Sequence, residues 1–289
     1  MILIKTLLLI GLTLTTFSAL TTEQLMPYSM PRAHVVAIED SKLNRQYELY
    51  IKLPEDYTAD GSTQYPVIYT TDAKWQMDLL SGVTSFLMPT AILVGISWQT
   101  NMSEEIDYGK RRAYASRFRD YSFLESEKPD VQAKYQFGKA DQHLRFIRDR
   151  VKKYVKNHYQ IDVSNQTYLG YSMGAEFGAY IVLSQPDTFD NYILGSPSVD
   201  TRSVEFLEKQ VTHQSVTKET HMANVFISIG ELEDTAMKET NQLVSLFERE
   251  AASGLSLTGL KIIKAANHST AVPDTFTQGI KWLAALSSR

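Results

Sequence analysis

The stretch Gly170-Tyr171-Ser172-Met173-Gly174 narrows the choice of fold more than any other part of this chain. An apolar, β-prone run (167–169) enters it and a helix-compatible run to Leu183 leaves it. The pentapeptide therefore reads as a sharp strand-to-helix turn, on which a serine projects its hydroxyl from the carboxyl end of the strand while the next amide faces the same spot. Such a turn crowds the positions two before and two after the serine against neighbouring backbone, and Gly170 and Gly174 relieve that crowding. Gly178 lets the following helix lie close to the sheet. A glycine-rich turn that merely contains a serine would look the same over five residues. The strand before and the helix after favour Ser172 as a nucleophile.

Around this turn, apolar strands alternate with helices. Residues 33–39 and 45–53 alternate apolar and polar side chains, as two early antiparallel strands do. A buried strand over 65–72 runs into the polar loop Asp72-Ala73-Lys74-Trp75, and a short helix to about residue 87 follows. Residues 91–98 are apolar without alternation, the pattern of a central parallel strand. Leu144, Ile147, Val151, Tyr154 and Val155 recur at helical spacing across 140–159. After the serine come a helix (173–185), a strand (190–194), a helix (202–213), a strand (224–229), a helix (235–252), a strand (257–265) and a last helix (275–287). This order predicts an α/β protein with a mostly parallel central sheet, helices on both faces and antiparallel N-terminal strands. At 289 residues, one large domain fits better than two small ones. Residues 99–138 stand apart: they are polar, dense in arginine and aromatic residues, and show no sustained period. Long irregular segments of this kind tend to form lids or walls of functional sites.

With no cysteine, disulfides, thiolate metal sites and a cysteine nucleophile are excluded. A net charge of -4 argues against a nucleic-acid partner. The amino terminus has one early positive charge at Lys5, an apolar centre over 6–17 and small residues at Ser18 and Ala19. It reads as a signal peptide (1–20), too short at its centre to span a bilayer comfortably. The mature chain (21–289) is then expected to be periplasmic or secreted, starting near residues 19–23, with no other stretch apolar enough to cross a membrane.

A serine hydroxyl is a weak nucleophile at neutral pH and needs a base, which in turn needs an orienting group. In the α/β-hydrolase topology these follow in the order serine, acid, histidine. Of six histidines, only His213, His221 and His268 lie after Ser172. Only His268 sits near the carboxyl terminus, on a polar loop after an apolar strand, where a base can reach the sheet's carboxyl edge. Three carboxylates, Glu231, Glu233 and Asp234, compete at the end of the preceding strand. Glu233 is the first choice from its place three residues past Gly230, and Asp234 could instead cap the next helix. No two histidines have helical metal-ligand spacing, so no metal is expected. An oxyanion hole would use the amide of Met173 and another from the Asp72-Trp75 loop.

These residues resemble the esterase D and enterochelin-esterase-like branch of the α/β-hydrolases, the "putative esterase" family. The resemblance runs from about Arg45 to Trp282. It rests on Tyr65-Pro66-Val67-Ile68-Tyr69, Arg111-Arg112, Arg119-Asp120-Tyr121, the serine turn, Phe189-Asp190-Asn191-Tyr192, Ser196-Pro197-Ser198 and Gly230-Glu231-Leu232-Glu233. It implies an α/β-hydrolase fold, Ser172, Glu233 and His268 as catalytic residues, and the amides of Met173 and Lys74 as oxyanion donors, with no cofactor. Relatives usually carry Asp-Gly where this chain has Asp72-Ala73.

The expected chemistry is hydrolysis of a small-molecule carboxylic ester through an acyl-enzyme. Trp75, Arg111, Arg112 and Tyr171 are candidates for binding substrate. The cluster Lys110-Arg111-Arg112 with Arg117 and Arg119 would suit an anionic siderophore trilactone. The plainer reading, which is preferred, is that these arginines brace the segment against Glu104, Glu105, Asp107 and Asp120. A catalytically silent binding module is the rival of another class, and an acyltransferase the rival among enzymes.

Overall fold

The computed structural model describes residues 28–214 and 222–287. The expected signal peptide lies outside them. Among the described residues eight strands form one sheet: β1 (Ala33–Asp40), β2 (Arg45–Lys52), β3 (Tyr65–Thr70), β4 (Ile92–Ile96), β5 (Ile161–Tyr171), β6 (Asn191–Gly195), β7 (Ala223–Gly230) and β8 (Leu255–Ile263), in the order β1-β2-β4-β3-β5-β6-β7-β8. The β1–β2 and β2–β4 pairs are antiparallel and the rest are parallel. All five residues of β4 and all five of β6 are buried, which is why neither alternates in sequence. β1, at the edge, keeps most of its residues exposed.

Helices cover both faces. On one lie α1 (Ala73–Leu87) and the last helix, α9 (Val272–Ser287), which bury Met77, Leu80, Phe276, Ile280 and Leu283 against Leu93, Leu169 and Ile193. On the other, Leu144, Val155, Phe177, Leu207 and Phe247 join Tyr69, Tyr168 and Leu194. These come from α4 (Ala140–Phe146), α5 (Lys152–His158), α6 (Met173–Ser184), α7 (Thr201–Gln214) and α8 (Asp234–Arg249). The amphipathic segment expected as one helix over 140–159 is interrupted by a π-turn at Ile147–Val151, with Ile147 and Val151 still fully buried. Gly178 does allow close packing: a Cβ there would sit 2.4 Å from Leu194 Cδ2. Among the described residues no helix is long and apolar enough to cross a membrane.

Two expectations need correction. Residues 73–75 are not loop, because α1 starts at Ala73 immediately after Asp72. The segment 99–138 is not wholly irregular either. It holds a 3-10 turn (Gly109–Tyr114), α2 (Ser116–Asp120) and α3 (Pro129–Tyr135), each too short to show a period. Since β3, β5, β6, β7 and β8 run the same way, the residues that follow them all emerge at one edge of the sheet.

Candidate active site

Ser172 sits at that edge with φ 57° and ψ -123°, a conformation that non-glycine residues rarely adopt. The neighbours hold it there. Its amide donates to the Gly195 carbonyl at 2.9 Å, and its own carbonyl accepts from Ala175 and Glu176, both at 3.0 Å, starting α6. Gly170 is required, because a Cβ would lie 2.3 Å from the Gly174 carbonyl oxygen. Strain at this residue is sustained by the backbone around it.

His268 Nε2 is 2.9 Å from Ser172 Oγ, and its Nδ1 is 2.6 Å from Glu233 Oε2. The imidazole is half exposed while Glu233 is buried. The other Glu233 oxygen, Oε1, accepts from Ser196 Oγ at 2.7 Å and the Gly230 amide at 2.8 Å. Both oxygens of the carboxylate are thus held, which fixes the plane in which it meets the ring. Of the three carboxylates that competed in the sequence, only Glu233 meets the histidine. Glu231 instead accepts from Lys264 Nζ at 2.7 Å and the Ala265 amide at 2.8 Å, pinning the end of β8 to that of β7. Those bonds, from the Ala265 amide first, hold its carboxyl below the usual range. Asp234 is the exposed first residue of α8.

The loop that carries His268 is built locally. Asn267 Oδ1 accepts from the amides of Ser269 and Thr270 at 3.0 and 3.1 Å, and Thr270 Oγ1 accepts from the Asn267 amide at 2.9 Å. Tyr171 fastens it to the elbow: its hydroxyl donates to the His268 carbonyl at 2.5 Å and lies 2.9 Å from Ser196 Oγ. Tyr171 is buried, so the structure puts this substrate-binding candidate beneath the histidine loop.

The first amides of a helix have no acceptor within it. This leaves the Met173 amide at the start of α6 and the Ala73 and Lys74 amides at the start of α1 outside the helical ladders, while Trp75 and Gln76 already donate to the Asp72 carbonyl. Tyr168 joins the two helix starts: its hydroxyl donates to the Gly174 carbonyl at 2.7 Å and lies 3.1 Å from Thr71 Oγ1. Asp72, with φ 56° and ψ 39°, makes the turn into α1. A fork of two 2.9 Å hydrogen bonds from Arg117 fixes its carboxylate, with a third from Trp98 Nε1 at 2.6 Å. Burial works against the Arg117 charge, but Asp72 outweighs it and moves the guanidinium above its ordinary value. Arg117 also reaches Met173 Sδ at 3.4 Å, touching both helix starts at once.

The remaining candidates are dispersed. Trp75 is half exposed, packed edge-on against Trp98 at 4.6 Å, with the Arg117 guanidinium 5.1 Å from its ring. Arg111 is exposed, 5.8 Å from the Phe118 ring centre. Arg112 binds the Met102 and Ser103 carbonyls and pairs with Glu104. Arg119 is buried on Asp120, Gln99 and Tyr47. The cationic cluster read from sequence is therefore mostly bracing. Sequence reasoning did not find Ser198, whose Oγ is 2.9 Å from Ser172 Oγ, nor the clamp role of Arg117. The place of Ser196-Pro197-Ser198 at a parallel strand's carboxyl end was the available signal for the first. Among the described residues no group of three or more His, Asp or Glu could hold a metal ion.

Comparison with known proteins agrees with this architecture. The chain is 29% identical over 250 residues to the ferri-bacillibactin esterase BesA of Bacillus subtilis, spanning 81% of this chain and 82% of that one. It is 23% identical over 208 residues to the siderophore triacetylfusarinine C esterase of Aspergillus fumigatus, spanning 71% of this chain and 65% of that one. The crystal structure of the BES protein from Bacillus cereus superposes with a TM-score of 0.71 at 21% identity, covering 90% of this chain and 98% of that one, a likeness of fold. The profile of the family described as "Putative esterase" matches residues 41–271. The chain belongs to that family, as a carboxylic-ester hydrolase built on the α/β-hydrolase fold.

Proposed function

We propose that the chain hydrolyses its ester through an acyl-enzyme on Ser172, with His268 as the base and Glu233 orienting and stabilising the imidazolium. The observation that carries this is the unbroken run of hydrogen bonds from Ser172 Oγ through both nitrogens of His268 to Glu233. Ser172 Oγ adds to the ester carbonyl while its proton passes to His268 Nε2. The negative oxygen that forms is received by the amides of Met173 and Lys74. Collapse of this adduct expels the alcohol, which takes the proton from His268. Water then adds to the acyl-enzyme as His268 again accepts a proton, and collapse of this second adduct returns that proton to Ser172 Oγ and releases the acid.

For the substrate, the two siderophore esterases among the relatives support a siderophore ester as the physiological class. The amino-terminal pattern supports export to the periplasm or beyond. Cell fractionation checks the location.

The deciding experiment is labelling by a fluorophosphonate probe together with hydrolysis of p-nitrophenyl esters of increasing chain length and of ferric and iron-free siderophore lactones. Wild type should label and turn over, and Ser172→Ala should do neither. No labelling of the folded wild type would favour a silent binding module. Transfer of the acyl group to added alcohols in preference to water would favour an acyltransferase.

A further inference from the structure

A cleft of about 520 Å³ opens beside Ser172, lined by Met173 and Ser198 from the site itself and by Glu176, Asp200, Ser203 and Phe137. Glu176 is the unusual member. It lies one turn into α6 from the nucleophile, its amide bonded to the Ser172 carbonyl, and it is buried without a cationic partner among the described residues. Ser203 Oγ donates to Oε1 at 2.8 Å, leaving Oε2 available to the cleft that the side chain lines. An unpaired buried carboxylate is costly, so such a group stays protonated and offers an O–H donor. The charges facing it agree with this. Asp200 and Arg202 stand at the start of α7, and Glu125, Glu127 and Lys128 come from the insertion. Arg202 is taken by Glu127 at 3.1 Å, so no excess of cation is left in the cleft to hold an anion.

We propose that this cleft is the subsite for one substituent of the ester, and that Glu176, as a protonated carboxyl, selects an uncharged group bearing a carbonyl acceptor, such as an amide, over a carboxylate. This rests on Ser172 being the nucleophile. Burial first, with Asp200 adding to it, pushes the Glu176 carboxyl up to about 8, so the donor is present at neutral pH and withdrawn in mild alkali.

The test compares matched esters: p-nitrophenyl adipate monoamide against the monocarboxylate, and butyrate esters of 4-hydroxybutanamide against 4-hydroxybutanoate. The two series vary the acyl and the alcohol side. In one of them wild type at pH 7 should prefer the amide by about tenfold in kcat/KM, expressed mainly in KM. Glu176→Gln, which keeps an uncharged donor, should retain that preference, and Glu176→Leu should lose it. For the amide ester, KM should rise above pH 8 in wild type and stay flat in Glu176→Gln. That contrast would not arise from a purely structural role. Equal use of amide and carboxylate in both series, by an enzyme that labels with fluorophosphonate, overturns the proposal. Failure of wild type to label overturns the Ser172 reading, and this proposal with it.

Discussion

The carboxyl edge of the sheet and the insertion over 99–138 solve the same task, holding polar groups in fixed places, by opposite means. At the edge, five parallel strands deliver short turns whose positions follow from the ladder, and each functional side chain lies within a few residues of its strand's end. The insertion has only short helices and holds its shape by side chains: Phe118 against Tyr135 and Phe137, Phe123 against Phe206 and Tyr180, and Arg117 and Arg119 on carboxylates. Backbone order tolerates change at surface positions, whereas an order made of side chains depends on a few of them. Which few is a matter of burial.

The comparison is sharpened first at the edge itself. Ser172→Ala and His268→Ala are expected to reduce kcat by several orders of magnitude, on the order of 10⁴-fold or more, with little change in melting temperature, read by p-nitrophenyl ester kinetics and calorimetry. A loss below about tenfold would mean that the reacting group lies elsewhere.

In the insertion the largest effect should fall on Arg117→Ala. It leaves the Asp72 carboxylate buried with only Trp98 Nε1 and loosens the start of α1, so both stability and kcat/KM should fall. Breaking a buried pair by removing one partner costs about 3–5 kcal/mol. Arg117→Lys should rescue it poorly, because one ammonium cannot supply the fork. Unchanged kinetics in a folded Arg117→Ala enzyme would separate the insertion from the oxyanion amides.

Glu176 provides a milder test, in stability. With the folded carboxyl raised to about 8 from its ordinary 4.5, the folded state keeps a proton that the unfolded chain releases. Its contribution is therefore intact below the ordinary value and is lost as pH rises through the raised one. Glu176→Gln carries no such titration. Its melting temperature should gain on wild type by several degrees between pH 6 and pH 9, and a constant difference would mean that Glu176 is already ionised. The smallest effect is expected for Arg112→Ala. Its partner Glu104 is exposed, and exposed pairs contribute about 0–1 kcal/mol. A large loss of activity there would return Arg112 to the list of substrate-binding groups.

Much of the edge was legible in the sequence because parallel buried strands leave apolar runs and their ends leave polar residues. The strand of 224–229 and the loop around His268 were found that way, each within a few residues. The choice among Glu231, Glu233 and Asp234 was only an ordering, since it depends on which carboxylate the turn after Gly230 aims inward. The start of α1 reads as loop in the sequence because two of the four residues in Asp72-Ala73-Lys74-Trp75 are charged, and the left-handed Asp72 that permits an immediate helix leaves no compositional mark. In the insertion the arginines were visible but their allotment was not. Arg117 meets a carboxylate 45 residues away, a pairing that no local pattern encodes.

Because Arg117 touches both Asp72 and Met173, the insertion is not an interchangeable cassette. Grafting another family member's segment onto this scaffold would succeed only if the donor brought a guanidinium to the same carboxylate. Any attempt to widen substrate range by swapping that wall has to transplant the lock together with its keyhole.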